Sequence, residues 1–181
     1  MSDGLYVPLC EGDLRLELLA EHHREPLRLA CAADQEIWEI YPFSFSGEAF
    51  DPQFDQLFGT HGKRGYAVTL AGEVVGMTAW IDVGQPGWAI EIGNTYFLPR
   101  LRGTGFNRRV KDLMIDHAFA CGLERVAFKV DAVNARSRAA VLKLGCHQEG
   151  ILRRERKTWT GRVRDTVLFS ILRDEWSKEG V

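Results

Sequence analysis

Apolar and polar side chains alternate in LRLELL (14–19), the period of a strand with one face covered. AEHHREPLRLACAAD then takes up helical spacing, with Pro26 early enough to sit in a first turn. The aromatic stretch IWEIYPFSFSGEAFDPQFDQLFG is broken by Pro42, Gly47 and Pro52, which predicts short helices bordering a pocket. GYAVTL and VVGMTAWID, joined through AGE, predict a hairpin over 65–82, and WAIEIGNTYFL (88–98) reads as the next strand after a turn at Gln85-Pro86-Gly87. A helix follows to about Cys121, its inward face made by Phe106, Val110, Leu113, Met114, His117 and Cys121, with Gly122 placed for a left-handed cap. RVAFKVDA (125–132) is a strand, and Asn134 can cap a helix that reaches Leu144 and ends at Gly145. Strands near 146–158 and 163–172 are separated by Thr160-Gly161. This order predicts an α/β sheet with both parallel and antiparallel pairs, in one domain over 1–181.

Composition narrows the function. Lys and Arg total 23 against 25 Asp and Glu, and this balance argues against a dedicated nucleic-acid binder. No apolar run reaches membrane-spanning length, and MSDGLYVPLCEGD lacks the apolar core of a signal peptide, so a cytoplasmic protein is expected. Cys10, Cys31, Cys121 and Cys146 contain no C-x-x-C pair and read as reduced packing residues. His22 and His23 are neighbours that should point apart on a helix, a poor metal site, so no metal is expected.

The chemistry concentrates at PRLRGTGFN (99–107), where a strand runs into a helix through R-x-x-G-x-G. Glycine lets a ligand approach the main chain, and the free N–H groups of a helix start attract anions. One reading is that residues 102 to 107 cradle a diphosphate; the other is a plain loop, glycine for turning and arginine for solubility. The pattern alone does not decide between them. A Walker loop would need G-K-[ST], which is absent, and a dinucleotide fingerprint would need a third glycine where Arg108 stands. Glu91, Asn94 and Thr95 also interrupt the buried strand that such a fingerprint wants.

PRLRGTGFN, followed one strand later by NARSRAAVLKLGCHQEGILR, resembles the GNAT superfamily of acyl-CoA N-acyltransferases, and within it the RimJ/RimL type. Arg100-x-x-Gly103-x-Gly105 is similar to its (Q/R)-x-x-G-x-(G/A) loop. Asn134-x-x-Ser137 with Lys143-Leu144-Gly145 resembles the second cofactor motif. LCEGDLRLELLAEHHREPL looks like the opening strand and helix; Glu149-Gly150-x-x-Arg153 and GRVRDTVLFSILRDEW look like the closing hairpin. The resemblance implies a mixed, mostly antiparallel sheet of about seven strands, splayed in the middle and flanked by about four helices.

It also implies roles. Acetyl-CoA would lie in the splay, its pantetheine paired with the backbone of Phe97 and Leu98, its pyrophosphate on the N–H groups of Arg102, Gly103, Thr104, Gly105, Phe106 and Asn107. Asn134 would bond the pantetheine, or merely cap its helix; Lys143 is an exposed lysine by default. The family's common tyrosine acid falls by spacing at Val141, which has no proton to give; RimJ/RimL relatives resemble this chain in carrying a serine earlier, here Ser137. Ser137 shares a helical face with Ala140, Val141 and Leu144, so it would donate a proton to the leaving sulfur or else bond nearby backbone. A backbone N–H around Thr95 to Phe97 would hold the oxyanion. Glu91, with Asp82 second, would collect the amine's proton; otherwise Glu91 faces solvent or pairs with an arginine across strands. Trp38, Tyr41 and Trp80, with Phe43, Phe45 and Trp88, would wall an amine-bearing substrate or be simple core, and Glu36 and Glu39 would draw a cation or be a wet face. The acceptor is a primary amine, on a protein N-terminus or a small molecule, and the oligomeric state is open, a homodimer included. The missing tyrosine leaves a second reading, an idle acyl-CoA-binding or sensing domain; a nucleotide-binding oxidoreductase is a third.

Overall fold

In the computed structural model, which describes residues 4–59 and 62–176, the alternating segments become strands of one eight-stranded sheet. β1 (Leu9–Glu11) and β2 (Leu14–Leu18) form a hairpin, and α1 (Arg24–Ala32) and α2 (Phe50–Gly59) follow with short 3-10 turns between them. β3 (Lys63–Leu70), β4 (Glu73–Asp82) and β5 (Ala89–Phe97) run antiparallel to one another. α3 (Phe106–Ala120) crosses to β6 (Arg125–Asp131), the kind of connection that a parallel neighbour requires. α4 (Ala135–Leu142) then leads to the hairpin β7 (His147–Lys157) and β8 (Val163–Leu172). The order across the sheet is β1-β2-β3-β4-β5-β6-β8-β7. The architecture is the expected mixed sheet with helices, with one strand more than anticipated. β1 has three residues, too few to show a period. The expected bounds 1–181 take in residues 1–3, 60–61 and 177–181, which lie outside the described ones.

The sheet separates two cores. On one side Leu16, Trp80, Ile90 and Ile92 pack with Val110 and Met114 of α3. On the other, Met77, Ala79 and Tyr96 pack with Leu27 of α1, Trp38 and Phe54 of α2. Each such aliphatic or phenyl group contributes about 1.5–3 kcal/mol on burial, so the sheet is held from both faces. β7, by contrast, is an edge strand with nearly every side chain exposed.

Two irregularities shape the middle of the sheet. Between β4 and β5 the register passes from Met77↔Tyr96 to Ala79↔Gly93, so Thr78 faces both Asn94 and Thr95 in a bulge. Asn94 takes the left-handed φ of 50° that the bulge needs, and asparagine tolerates it better than most residues. β5 then passes so close to β4 that a Cβ at Gly76 would lie 2.0 Å from the Tyr96 carbonyl oxygen; only glycine fits. Between β5 and β6 the parallel pairing runs Ala89↔Arg125, Ile90↔Val126, Glu91↔Ala127 and stops, while β6 continues beside β8 to Asp131↔Thr166. Beyond Glu91 the two strands part. No helix among the described residues is long and apolar enough to cross a membrane.

Candidate active site

The strand-to-helix corner stands at the open end of this gap. Gly103 and Gly105 adopt φ of 79° and 86°, and Gly105 caps the start of α3. Their conformation explains the glycines directly, and a Cβ on either would project into open space. Among the described residues, no acceptor is recorded for the N–H groups of Gly103, Thr104, Gly105 and Asn107, whereas Arg102's N–H bonds Pro99's carbonyl (3.1 Å) and Phe106's approaches the Thr104 hydroxyl (3.4 Å). The neighbouring arginines are each paired with a carboxylate: Arg100 with Glu73, Arg102 with Asp34, Arg108 with Asp112, Arg109 with Asp13. What the corner offers an anion is therefore main-chain donors and the positive end of a 15-residue helix, not loose guanidinium charge. A diphosphate fits that offer.

Arg102 does more than balance charge. Its guanidinium joins Asp34 and, through Nε, the Phe97 carbonyl (3.2 Å), and lies 5.5 Å from the Tyr96 ring centre; its buried Nη2 has no partner among the described residues. Asp34's carboxyl is held below its ordinary range by that arginine. Leu98's N–H bonds Val75 on β4 (2.9 Å), and its carbonyl receives Leu101's N–H, so its backbone is engaged within the chain. Strand alternation then turns Phe97's N–H away from β4, toward the gap. On the gap's rim Tyr41 donates its hydroxyl to the Thr95 carbonyl (2.6 Å), and burial pushes its pKa up to about 12. Ser137 sits half-buried in the first turn of α4; Asn134's side-chain oxygen accepts its backbone N–H (3.0 Å), and no partner is recorded among the described residues for its hydroxyl.

Residues 13–147 match the model of the acetyltransferase (GNAT) domain. The chain belongs to the GNAT acetyltransferase family. Its fold is similar to that of a GCN5-related N-acetyltransferase from Brucella melitensis, at 26% identity and a TM-score of 0.83, over 94% of this chain and 80% of that one. A protein of T. thermophilus assigned as an acetyltransferase is 31% identical, with a TM-score of 0.83 over 93% and 90% of the two chains. Mycobacterium smegmatis RimJ, solved in complex with CoA-disulfide, shares the fold at 21% identity and a TM-score of 0.78, over 95% and 88%. No curated protein matches the chain.

Within this GNAT frame the expected site residues separate. Phe97, Gly103, Thr104, Gly105, Asn107, Asn134 and Ser137 lie along the gap and its open end, and Tyr41 joins them through Thr95. Trp38 and Trp80 do not. Both are fully buried on opposite faces of the sheet, Trp38 bonded to the Cys31 carbonyl (3.1 Å) and Trp80 to the Tyr66 hydroxyl (3.2 Å). Their indoles are core, with no surface left for a substrate. Glu91 sits at the last paired position before the strands part, only 6% exposed, with Lys129's ammonium 3.0 Å away. The cross-strand pair expected with an arginine is thus made with a lysine. Lys63 and Arg156 also feel Glu91's charge, so that end of the gap gathers three cations around one carboxylate. Asp82 is exposed.

One expectation about histidine needs correction. His22 and His23 do not point apart: their rings are 3.9 Å apart, and with Glu17 their ligand atoms fall within 4.8 Å. His23's Nδ1 accepts Ala20's N–H (3.1 Å), which puts the proton of a neutral ring on Nε2, facing Glu17 at 3.3 Å. That nitrogen then has no lone pair for a metal. Cys121 has a histidine within reach, His117 at 3.5 Å, one helical turn away. His117's Nε2 lies 3.1 Å from the Leu5 carbonyl, so the nitrogen facing the thiol carries a proton and cannot act as its base. Burial raises the Cys121 thiol and holds those of Cys31 and Cys146 at about 12, so none is a ready nucleophile at neutral pH.

Proposed function

We propose that this GNAT protein transfers the acetyl group of acetyl-CoA to a primary amine by direct attack within a ternary complex, in the cytoplasm. The observation that carries the reading is the β5–β6 gap ending at unpaired main-chain N–H groups of a left-handed glycine corner. That corner would hold the pyrophosphate, with Gly103, Thr104, Gly105 and Asn107 as donors. Phe97's N–H and Asn134's amide would line the pantetheine's path. Acetyl-CoA brings the activated thioester, and the protein positions it and manages two protons.

The amine attacks as the neutral base, its nitrogen lone pair forming the C–N bond while the C–S bond breaks. Glu91 would receive the amine's proton through a water at the point where β5 and β6 separate. A gap-facing N–H around Thr95 to Phe97 would bind the oxygen that becomes negative. Ser137's unengaged hydroxyl would supply the departing sulfur with its proton. The burial of Cys31 and Cys146, which pushes both thiols up to about 12, favours direct transfer over an acyl-enzyme formed on either. Tyr41, of the expected substrate wall, reaches the gap through Thr95, so it would border the acceptor. The acceptor itself is a protein N-terminus or a small amine.

A second reading, an idle acyl-CoA-binding domain, draws on Val141 standing where many relatives have a tyrosine and on Glu91's ion pair with Lys129. Acetyl-CoA at 100 times its dissociation constant should raise stability by about 2.7 kcal/mol, seen as a higher melting temperature, while NAD leaves it unmoved. Thiol release that requires an added amine then establishes transfer. Stabilisation without such release, across N-terminal peptides and small amines, assigns the idle domain instead.

A further inference from the structure

A lysine has no obvious place on the buried side of α3, yet Lys111 is there. It is 5% exposed, in the second turn of the helix, directed at the underside of the β4–β5 bulge. Its ammonium donates to the Thr95 hydroxyl at 2.6 Å and to the Thr78 hydroxyl at 3.2 Å. Thr78 is the β4 residue facing the bulge, and Thr95 is one of the two β5 residues opposite it. The two hydroxyls lie 2.9 Å apart and approach the Gly93 carbonyl at 3.5 and 3.4 Å. From the other face of the sheet Tyr41 holds the Thr95 carbonyl. The bulge is therefore clamped from above and below.

Among the described residues, no carboxylate on the elements packed against Lys111 balances its charge. β4 presents Thr78, β5 presents Thr95, and Met114 is its neighbour on α3. Burial alone brings its pKa down to about 7. A methionine or leucine would fill the same volume without that desolvation cost. A core position that retains a lysine under these terms, bonded solely to hydroxyls of one bulge, is suited to fixing that bulge's geometry. The bulge in turn sets how the strand beyond it presents its gap-facing N–H groups, Phe97's among them.

Resting on the acyl-transfer reading, we infer that Lys111 is a positioning residue for the reaction: by holding Thr78 and Thr95 beneath the bulge, it fixes the gap-side amides that bind the thioester's oxygen in the transition state. It touches no substrate and acts through Thr95. Misplacing such a donor by a fraction of an ångström weakens transition-state binding more than ground-state binding.

The test compares wild type, Lys111→Met, Thr95→Val and the double variant, all full chains. Lys111→Met should lower kcat about 10- to 100-fold while KM for acetyl-CoA stays within about threefold, and Thr95→Val should do the same. The double variant should be little worse than either single one, as groups acting as a unit are not additive. Amide hydrogen exchange without substrate supplies a readout independent of activity: Tyr96 and Leu98, whose N–H groups face β4 beyond the bulge, should exchange about tenfold faster in Lys111→Met, with α3 unchanged. A kcat within threefold of wild type, a KM that rises as much as kcat falls, or unchanged exchange at those amides overturns the inference. Faster exchange in Lys111→Met, in a wild type that acetylates no amine, keeps the clamp and defeats the transfer reading.

Discussion

The two halves of β5 make an informative pair. At Ile90 and Glu91 the strand has partners on both sides, β4 and β6, and its backbone is engaged in the ladder. From Ile92 to Phe97 it keeps β4, through a bulge, and loses β6. The first half is cohesive, with its main chain engaged, and ends at the Glu91 carboxylate. The second is irregular, needs Asn94 in a left-handed conformation and a glycine at position 76, and turns its backbone toward a cleft. Regular pairing and ligand binding compete for the same N–H groups, so a sheet that binds along a strand must first leave that strand unpaired.

That contrast can be broken at its boundary. Glu91→Gln, isosteric at the last paired residue, should lower kcat about 10²- to 10⁴-fold in the thiol-release assay if the carboxylate collects the amine's proton. A kcat close to wild type would reduce Glu91 to Lys129's partner. At the far end, Gly105→Val puts a branched side chain at φ 86° and into the space before α3. Acetyl-CoA affinity measured by calorimetry should fall at least about 100-fold, and normal affinity would move the diphosphate elsewhere. Ser137→Ala should cost about tenfold in kcat and leave the acetyl-CoA dissociation constant in place. An equal loss in both would make the serine a cofactor contact.

The smallest effect is one of pH. Lys111's pKa is near 7 folded and near its ordinary value of 10.5 unfolded, so between those values the unfolded chain holds a proton that the folded chain lacks. Stability should therefore rise with pH across that window and be flat with respect to this group below it. Denaturant melts at pH 7 and pH 9 should show that rise in wild type and its loss in Lys111→Met.

Much of this was legible from residue order. Alternation located β2, β3 and β4, helical spacing located α3, and PRLRGTGFN located the corner. The splay was not readable from any local pattern, because it depends on where β5 and β6 stop pairing, and register belongs to two strands at once. Trp38, Trp80 and Tyr41 look alike as aromatics in sequence; only packing shows that two are core and the third reaches Thr95. Lys111 was hidden for the opposite reason, since a lysine within a helix reads as solvent-facing unless its buried neighbours are known. Arg102's link to Asp34 spans 68 positions and leaves no trace in spacing.

The outermost strand carries a different kind of consequence. β7 leaves one side of its ladder open, with Ile151 and Leu152 exposed beside it, an arrangement prone to growing strand by strand into aggregates. Arg153, Arg154, Arg156 and Lys157 outnumber Glu149 and Glu155 on that same strand and leave it net positive. A second copy approaching edge to edge meets electrostatic repulsion before it can zip up. Concentrated salt, which shortens the reach of charge to about 3 Å at 1 M, strips away that guard.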